Sequence, residues 1–237
     1  MGRRLLLWLV LPAGVVVGLF LLLFSPIVVS SAGMSPAVNP GDRVAVSRWA
    51  YGDPKSFRGR VAGPLGLFQP LPRRGDLVAV QYAGRYWSLR GERQVGRVIG
   101  LAGDRVEMRA GVLHLDGTAV ERRPLANAAP ADTPSGTKRF AETLPGLRPH
   151  EILEIDDRQP LDDTPVFTVP PGHIFVLGDN RDAVQDSRSE GGVYVPLASV
   201  LGRAELVLYG LDDGAAIWEV WRWPATFRGD RFLKVLR

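Results

Sequence analysis

The sequence predicts an all-β or mostly β domain carried behind one N-terminal transmembrane helix, and two features predict it. From Leu5 to Phe24 the chain is apolar apart from Pro12, Gly14 and Gly18, a run of the roughly 20 residues that a helix needs to cross a ~30 Å hydrocarbon layer. Behind it come short β-branched or alternating runs bounded by Gly, Pro, Asn and Asp, with no long stretch of persuasive helical period, which is how strands and turns read.

Arg3 and Arg4 precede the apolar run. Cationic flanks stay on the cytoplasmic side, so residues 1–4 are expected in the cytoplasm, residues 5–24 across the cytoplasmic membrane as a single-pass anchor, and the β domain outside. The rival reading is a cleaved secretory signal peptide, whose apolar core runs about 7–15 residues. This run is longer, and the segment from Ser30 to Pro36 behind it belongs to a motif taken up below.

The strand-like runs are Arg43 to Ser47, Asp76 to Gln81, Arg97 to Leu101, Arg105 to Met108, Val112 to Leu115, Val166 to Val169, Ile174 to Leu177 and Val200 to Tyr209. Asp116-Gly117 lies between Val112 to Leu115 and Thr118 to Glu121, a hairpin signal because a type I′ turn needs positive φ at both central residues. The β core is expected over 25–123 and 166–212. Between them, 124–165 is rich in Ala, Pro, Asp, Thr and Gly and reads as a surface insertion. The tail, 213–237, carries Trp218, Trp221 and Trp223 among Arg222, Arg228, Arg231, Lys234 and Arg237. Tryptophan beside arginine suits a lipid headgroup layer, and it equally suits a tail packed on the domain surface.

With 237 residues the chain holds one sizeable domain beside its membrane segment. It has no cysteine, which excludes disulfides, thiol catalysis and thiolate metal sites. The net charge of +4 comes from 29 basic against 25 acidic residues, scattered rather than gathered into a stripe, so nucleic acid is not an expected partner.

Four segments occur in order along the exported part: SSAGMSPAVNPGD at Ser30 to Asp42, RRGDLVAV at Arg73 to Val80, VGRVIGLAGDRV at Val95 to Val106, and VPPGHIFVLGDNRDAVQDSR at Val169 to Arg188, continuing to LGRAELVLY at Leu201 to Tyr209. Single GD or PG pairs mark turns in many β proteins, but GDNRD followed by DSR fixes several charges at set spacing. Together the four resemble the bacterial type I signal peptidases. The resemblance implies an antiparallel β-sheet domain outside the membrane that removes signal peptides with a serine/lysine dyad and needs no metal or cofactor. In such a dyad the serine needs an adjacent base, and a lysine serves only when burial or neighbours keep it neutral.

Alignment on Met34 and Pro36 places Gly33 where the family has its nucleophilic serine, and the residue before Arg97, the family's general base, is Gly96. The position two before Asp186, which in the family is a serine bonded to the lysine amine, is Val184. Ser31 matches the hydroxyl that assists oxyanion binding, and with the backbone N–H of Gly33 it would leave a partial oxyanion site. Asp179, Arg181, Asp182, Asp186, Ser187 and Arg188 remain, and their charges are expected to brace the loop around the site rather than act on substrate. His114, His150 and His173 are read as ordinary residues.

Three functions follow. The first is a pseudopeptidase that binds signal peptides of preproteins, another membrane protein or an active signal peptidase. The second is an active enzyme using a displaced serine, Ser31 or Ser35, which would need a base from among Lys55, Lys138 and Lys234, the chain's only lysines. The third is a non-enzymatic component of an envelope assembly.

Overall fold

The structure is a computed structural model describing residues 14–15, 18–21, 23–51, 71–81, 93–126, 133–183, 186–189, 193–212 and 218–236. The anchor expected over 5–24 lies largely outside the described residues. Its described positions, 14–15, 18–21 and 23, are helical, and β1 (Phe24–Val28) begins at once. No helix among the described residues is long and apolar enough to cross a membrane.

The spine of the domain is β14 (Val200–Leu211), the longest strand among the described residues. One edge of it pairs antiparallel with β2 (Asp42–Ser47). The other pairs in turn with β3 (Leu77–Gln81), β16 (Lys234–Val235) and β15 (Phe227–Arg228). With β4 (Arg93–Gly100), β12 (His173–Leu177) and β13 (Val195–Pro196) the main sheet runs β1-β2-β14-β3-β4-β12-β13. The sequence LVAV in β3 is apolar at every position because both faces are covered. Leu77 and Ala79 meet one core with Ile27, Met34, Val44 and Val207, while Val78 and Val80 meet another with Val98, Ile174 and Val176. Period-two geometry sends alternate residues to opposite faces.

A second sheet orders β11 (Phe167–Thr168), β5 (Arg105–Arg109), β6 (Val112–Leu115) and β7 (Thr118–Ala119), and a third orders β10 (His150–Glu154), β9 (Lys138–Thr143) and β8 (Glu121–Pro124). The strand pairs of all three sheets are antiparallel. The hairpin turn between β6 and β7 has φ of 51° at Asp116 and 80° at Gly117, the two positive values that a type I′ turn requires. Segment 124–165 supplies β9 and β10 and buries Leu144, Ile152 and Leu153. Within it, 127–132 lie outside the described residues.

Phe24 stands opposite Ser47, itself opposite Arg203, whereas Phe227 stands opposite Leu211. The tryptophan-bearing tail therefore meets β14 at the end remote from where the apolar run delivers the chain.

Space around the missing Cβ of Gly117 is open, so Gly117→Ala meets backbone strain alone. A loss of about 1 kcal/mol is expected, read as a lower denaturant midpoint with unchanged slope.

Candidate functional site

A single 3₁₀ turn, Ala32–Met34, follows β1. Met34 is buried and anchors the turn in the core that also receives Ile27 and Val95. Ser31 is exposed and its side chain does not cap the turn. The Gly33 carbonyl accepts the Asn180 N–H at 3.0 Å, and the Ala32 carbonyl accepts Asn180 Nδ2 at 3.2 Å. Strand β4 lies against this turn.

On β4, Gly96 pairs with Val78, and a methyl built on it would collide with Val176 Cγ1 of β12. The volume that a side chain at 96 would need is thus occupied by a branched aliphatic residue of the neighbouring strand. Val184 lies outside the described residues.

The loop after β12 is held by charges. Arg97 binds Asp179 through two bonds, Nε to Oδ1 at 2.8 Å and Nη2 to Oδ2 at 2.7 Å, both groups buried. Arg97 Nη1 also donates to the Gly75 carbonyl at 3.1 Å, so the RRGD turn joins the same cluster. Arg181 spans Glu142 of β9 and the Gly178 carbonyl. Asp182 accepts the Ile155 N–H at 2.6 Å. Arg188 makes two bonds to Asp186, and Ser187 Oγ accepts the Val176 N–H at 3.0 Å. Backbone bonds from Leu153 N–H to the Asp179 carbonyl and from Arg181 N–H to the Leu153 carbonyl stitch the loop to β10.

Burial raises the Glu142 carboxyl, but the Arg181 guanidinium, helped by His150, outweighs it and holds the group down at about 2. Glu154 is the opposite case: burial pushes it up to about 7 against the pull of Arg122, and its Oε1 has no hydrogen-bond partner.

His150 Nε2 stands 3.4 Å from Glu142 Oε1 and 4.0 Å from Asp179 Oδ1, so this histidine is wedged between two carboxylates of the frame. His114 and His173 only approach nearby carbonyls, of Val112 and Pro171. Ser35 is buried, and its Oγ has no hydrogen-bond partner among the described residues. Lys138 lies on β9 and Lys234 on β16. Lys55 lies outside the described residues.

Sequence reasoning missed Asp42. Fully buried, it takes the guanidinium groups of Arg228 and Arg231 from the tail and the Asn39 N–H. Arg231 also donates to the Ala37 carbonyl at 2.9 Å, so the tail grips the loop that follows Gly33. The only sequence signal was an acid at a PGD turn and a tail rich in arginine.

A signal-peptidase frame agrees with what comparison with known proteins finds. Residues 2–209 match the family described as signal peptidase, peptidase S26. Signal peptidase I of Rickettsia typhi is 28% identical over 207 residues, 80% of this chain and 73% of that protein. Signal peptidase I of Rickettsia canadensis is 27% identical over 209 residues, again 80% and 73%. A crystal structure of a signal peptidase I from Enterococcus faecalis, 27% identical, covers 56% of this chain and 95% of its own with a TM-score of 0.32. The chain belongs to the signal peptidase S26 family. The match ends at residue 209, so β15, β16 and the arginines that hold Asp42 lie beyond it.

Two outcomes follow from this geometry. Gly96→Ala overpacks β4 against Val176, with an expected loss of about 1–3 kcal/mol. Val176→Ala in the same chain should recover most of it, a coupling that a double-mutant cycle in denaturant reads directly.

Acid titration separates the two glutamates. Because Glu154 has a raised folded-state pKa, stability rises as pH falls from about 7 to 4.5; because Glu142 has a lowered one, stability falls from 4.5 towards 2. Glu154→Gln should remove the first limb of the Tm profile. Glu142→Gln should remove the second while costing about 3–5 kcal/mol for the stranded Arg181.

Proposed function

We propose that this chain is a pseudopeptidase: a single-pass protein of the bacterial inner membrane, N-terminus in and β domain out, that engages signal peptides or an active signal peptidase without cutting. The observation that carries this reading is the pair Gly33 and Gly96, with Val176 filling the space beside Gly96. Glycine offers neither an attacking oxygen nor a proton acceptor. Removing a nucleophile or its base from a hydrolase that works as a unit costs about 10⁶ in kcat, leaving roughly 10³ to 10⁴ over water.

Ser35 supports the same reading. Activating a serine requires a base in hydrogen-bond reach, and the Ser35 hydroxyl has no hydrogen-bond partner among the described residues. The frame argues for retained binding, because the bonds from Asn180 to the Gly33 turn and from Arg97 to Asp179 keep the two strand segments in place although the reactive groups are gone.

The test uses full-length protein purified in detergent and a preprotein substrate. No cleavage is expected, while a photo-crosslinkable signal peptide should label the chain. Cleavage that vanishes in Ser31→Ala or Ser35→Ala would overturn the proposal. A chain carrying Gly33→Ser, Gly96→Lys and Val176→Ala, with Val184→Ser added, should gain cleavage that the same chain with Val176 unchanged lacks.

A further inference from the structure

A pocket of about 220 Å³ opens between residues 74–76, in the RRGD turn, and residues 144–149, the tip of the β9–β10 hairpin. The two turns touch, because a methyl built on Gly75 would lie 2.6 Å from Leu147 Cδ1. Leu147 and Pro149 line the pocket and are exposed, so they give it an apolar wall. Arg74, Arg97 and Arg148 bring guanidinium groups to it. Arg74 holds Asp104 and Arg97 holds Asp179, whereas Arg148 is exposed and has no hydrogen-bond or ion-pair partner among the described residues. Asp76 also lines the pocket, but its Oδ2 accepts the Tyr51 hydroxyl at 2.8 Å and the Arg73 N–H at 2.9 Å.

His150 supplies a second donor. Its side chain lines the pocket, is only 8% exposed, and sets Nε2 3.4 Å from Glu142 Oε1 and 4.0 Å from Asp179 Oδ1 without completing a hydrogen bond. The two ring nitrogens diverge, so with Nε2 directed at the acids Nδ1 is left for another partner, and no described residue bonds it. Neutral imidazole carries one N–H and imidazolium two. An anion in the pocket gives the second N–H an acceptor, and both ends of the ring then meet negative charge: Glu142 of β9 and Asp179 behind β12 inside, the ligand outside. Other charges near the ring are already paired. Arg97 holds Asp179, Arg181 holds Glu142, and on the histidine's own strand Arg139 holds Glu151 and Arg122 holds Glu154.

The volume is below the ~300–1,000 Å³ of pockets that enclose a whole small molecule, so one short group fills it. A bare phosphate would leave the Leu147 and Pro149 wall unused. We infer that this pocket binds a carboxylate carried on a short aliphatic body, the form of the last residue of a polypeptide, with the carboxylate between Arg148 and His150, the aliphatic part on Leu147 and Pro149, and a proton taken up on His150. The inference rests neither on the membrane placement nor on the loss of cleavage proposed above. An occupied pocket would clamp the hairpin tip to the Gly75 turn, whose carbonyl holds Arg97.

Fluorescence anisotropy of the full-length protein in a neutral detergent provides the test, with a labelled pentapeptide ending in valine as the probe. The free acid should bind on the order of tenfold more tightly than the same peptide with a C-terminal amide. Its affinity should fall several-fold from about pH 5.5 to 7.5, the range in which imidazole gives up its proton. Arg148→Gln, on the exposed hairpin tip, should remove the preference for the acid with Tm unchanged. His150→Asn should flatten the pH profile, and Glu154→Gln should leave it in place. Competition by N-acetylvaline separates the sources: weaker competition than by the unlabelled peptide assigns the site to a polypeptide terminus, equal competition to a small carboxylate, and either supports the site. Equal binding of acid and amide, a preference that survives Arg148→Gln, a flat pH profile in the unaltered protein, or displacement by equimolar inorganic phosphate would each overturn the inference. Should His150→Asn fail to fold, the Arg148→Gln result and the profile of the unaltered protein decide it.

Discussion

The buried pairing of Arg97 with Asp179 is the constraint on which the site depends. Arg97 follows Gly96 and Asp179 precedes Asn180, so this one bidentate contact locks β4 to the loop whose next residue bonds the Gly33 carbonyl. The chain of contacts runs Gly96, Arg97, Asp179, Asn180, Gly33. The Gly96 and Gly33 segments are held in register by the charged and polar residues beside them. A buried ion pair repays its desolvation only when the geometry is good and further bonds complete it. Here the Gly75 carbonyl satisfies another Arg97 donor, and backbone bonds from β10 secure the loop on its far side.

That arrangement holds the frame through its own charged contacts. The charged loop does not depend on a lysine or serine for its partners: Arg181 finds Glu142, Arg188 finds Asp186, and Asp182 finds the Ile155 N–H. At Gly96 the adjoining volume is filled by Val176, so the strand is packed there rather than hollow. On the other side of the Gly33 turn, Arg228 and Arg231 of the tail converge on Asp42 and the carbonyls of the loop behind it. These contacts come from residues beyond the family match.

Much of the fold was legible because burial and sequence period agree. Arg43 to Ser47, Asp76 to Gln81 and Val200 to Tyr209 alternate or run apolar, and they are the centre of the main sheet. Asp116-Gly117 carried its own turn geometry. Strands β9 and β10 did not read as strands because their inward positions include Glu142 and Glu154, which break the apolar pattern and are buried only because Arg181 and Arg122 reach them. Strand β1 was masked by Pro26 and by the apolar run that precedes it; proline is tolerated there at the end of the sheet order. At the site, motif spacing singled out Gly33 and Gly96, which the structure brings near one another through β4 and the 3₁₀ turn. It could not name Val176, because which side chain fills the space beside a glycine depends on the pairing of β12 with β4, and it could not bring Asp42 to Arg231 across 189 residues.

Single-turnover intact-mass measurement tests most directly whether any oxygen of this chain attacks a peptide. Full-length protein in excess over a preprotein is quenched at successive times and weighed. The expected result is an unchanged mass, with no acyl adduct on any residue. An adduct that forms and decays with the appearance of mature product, and that maps to Ser31 or Ser35, would contradict the claim that Gly33 and Gly96 leave the site without nucleophile or base.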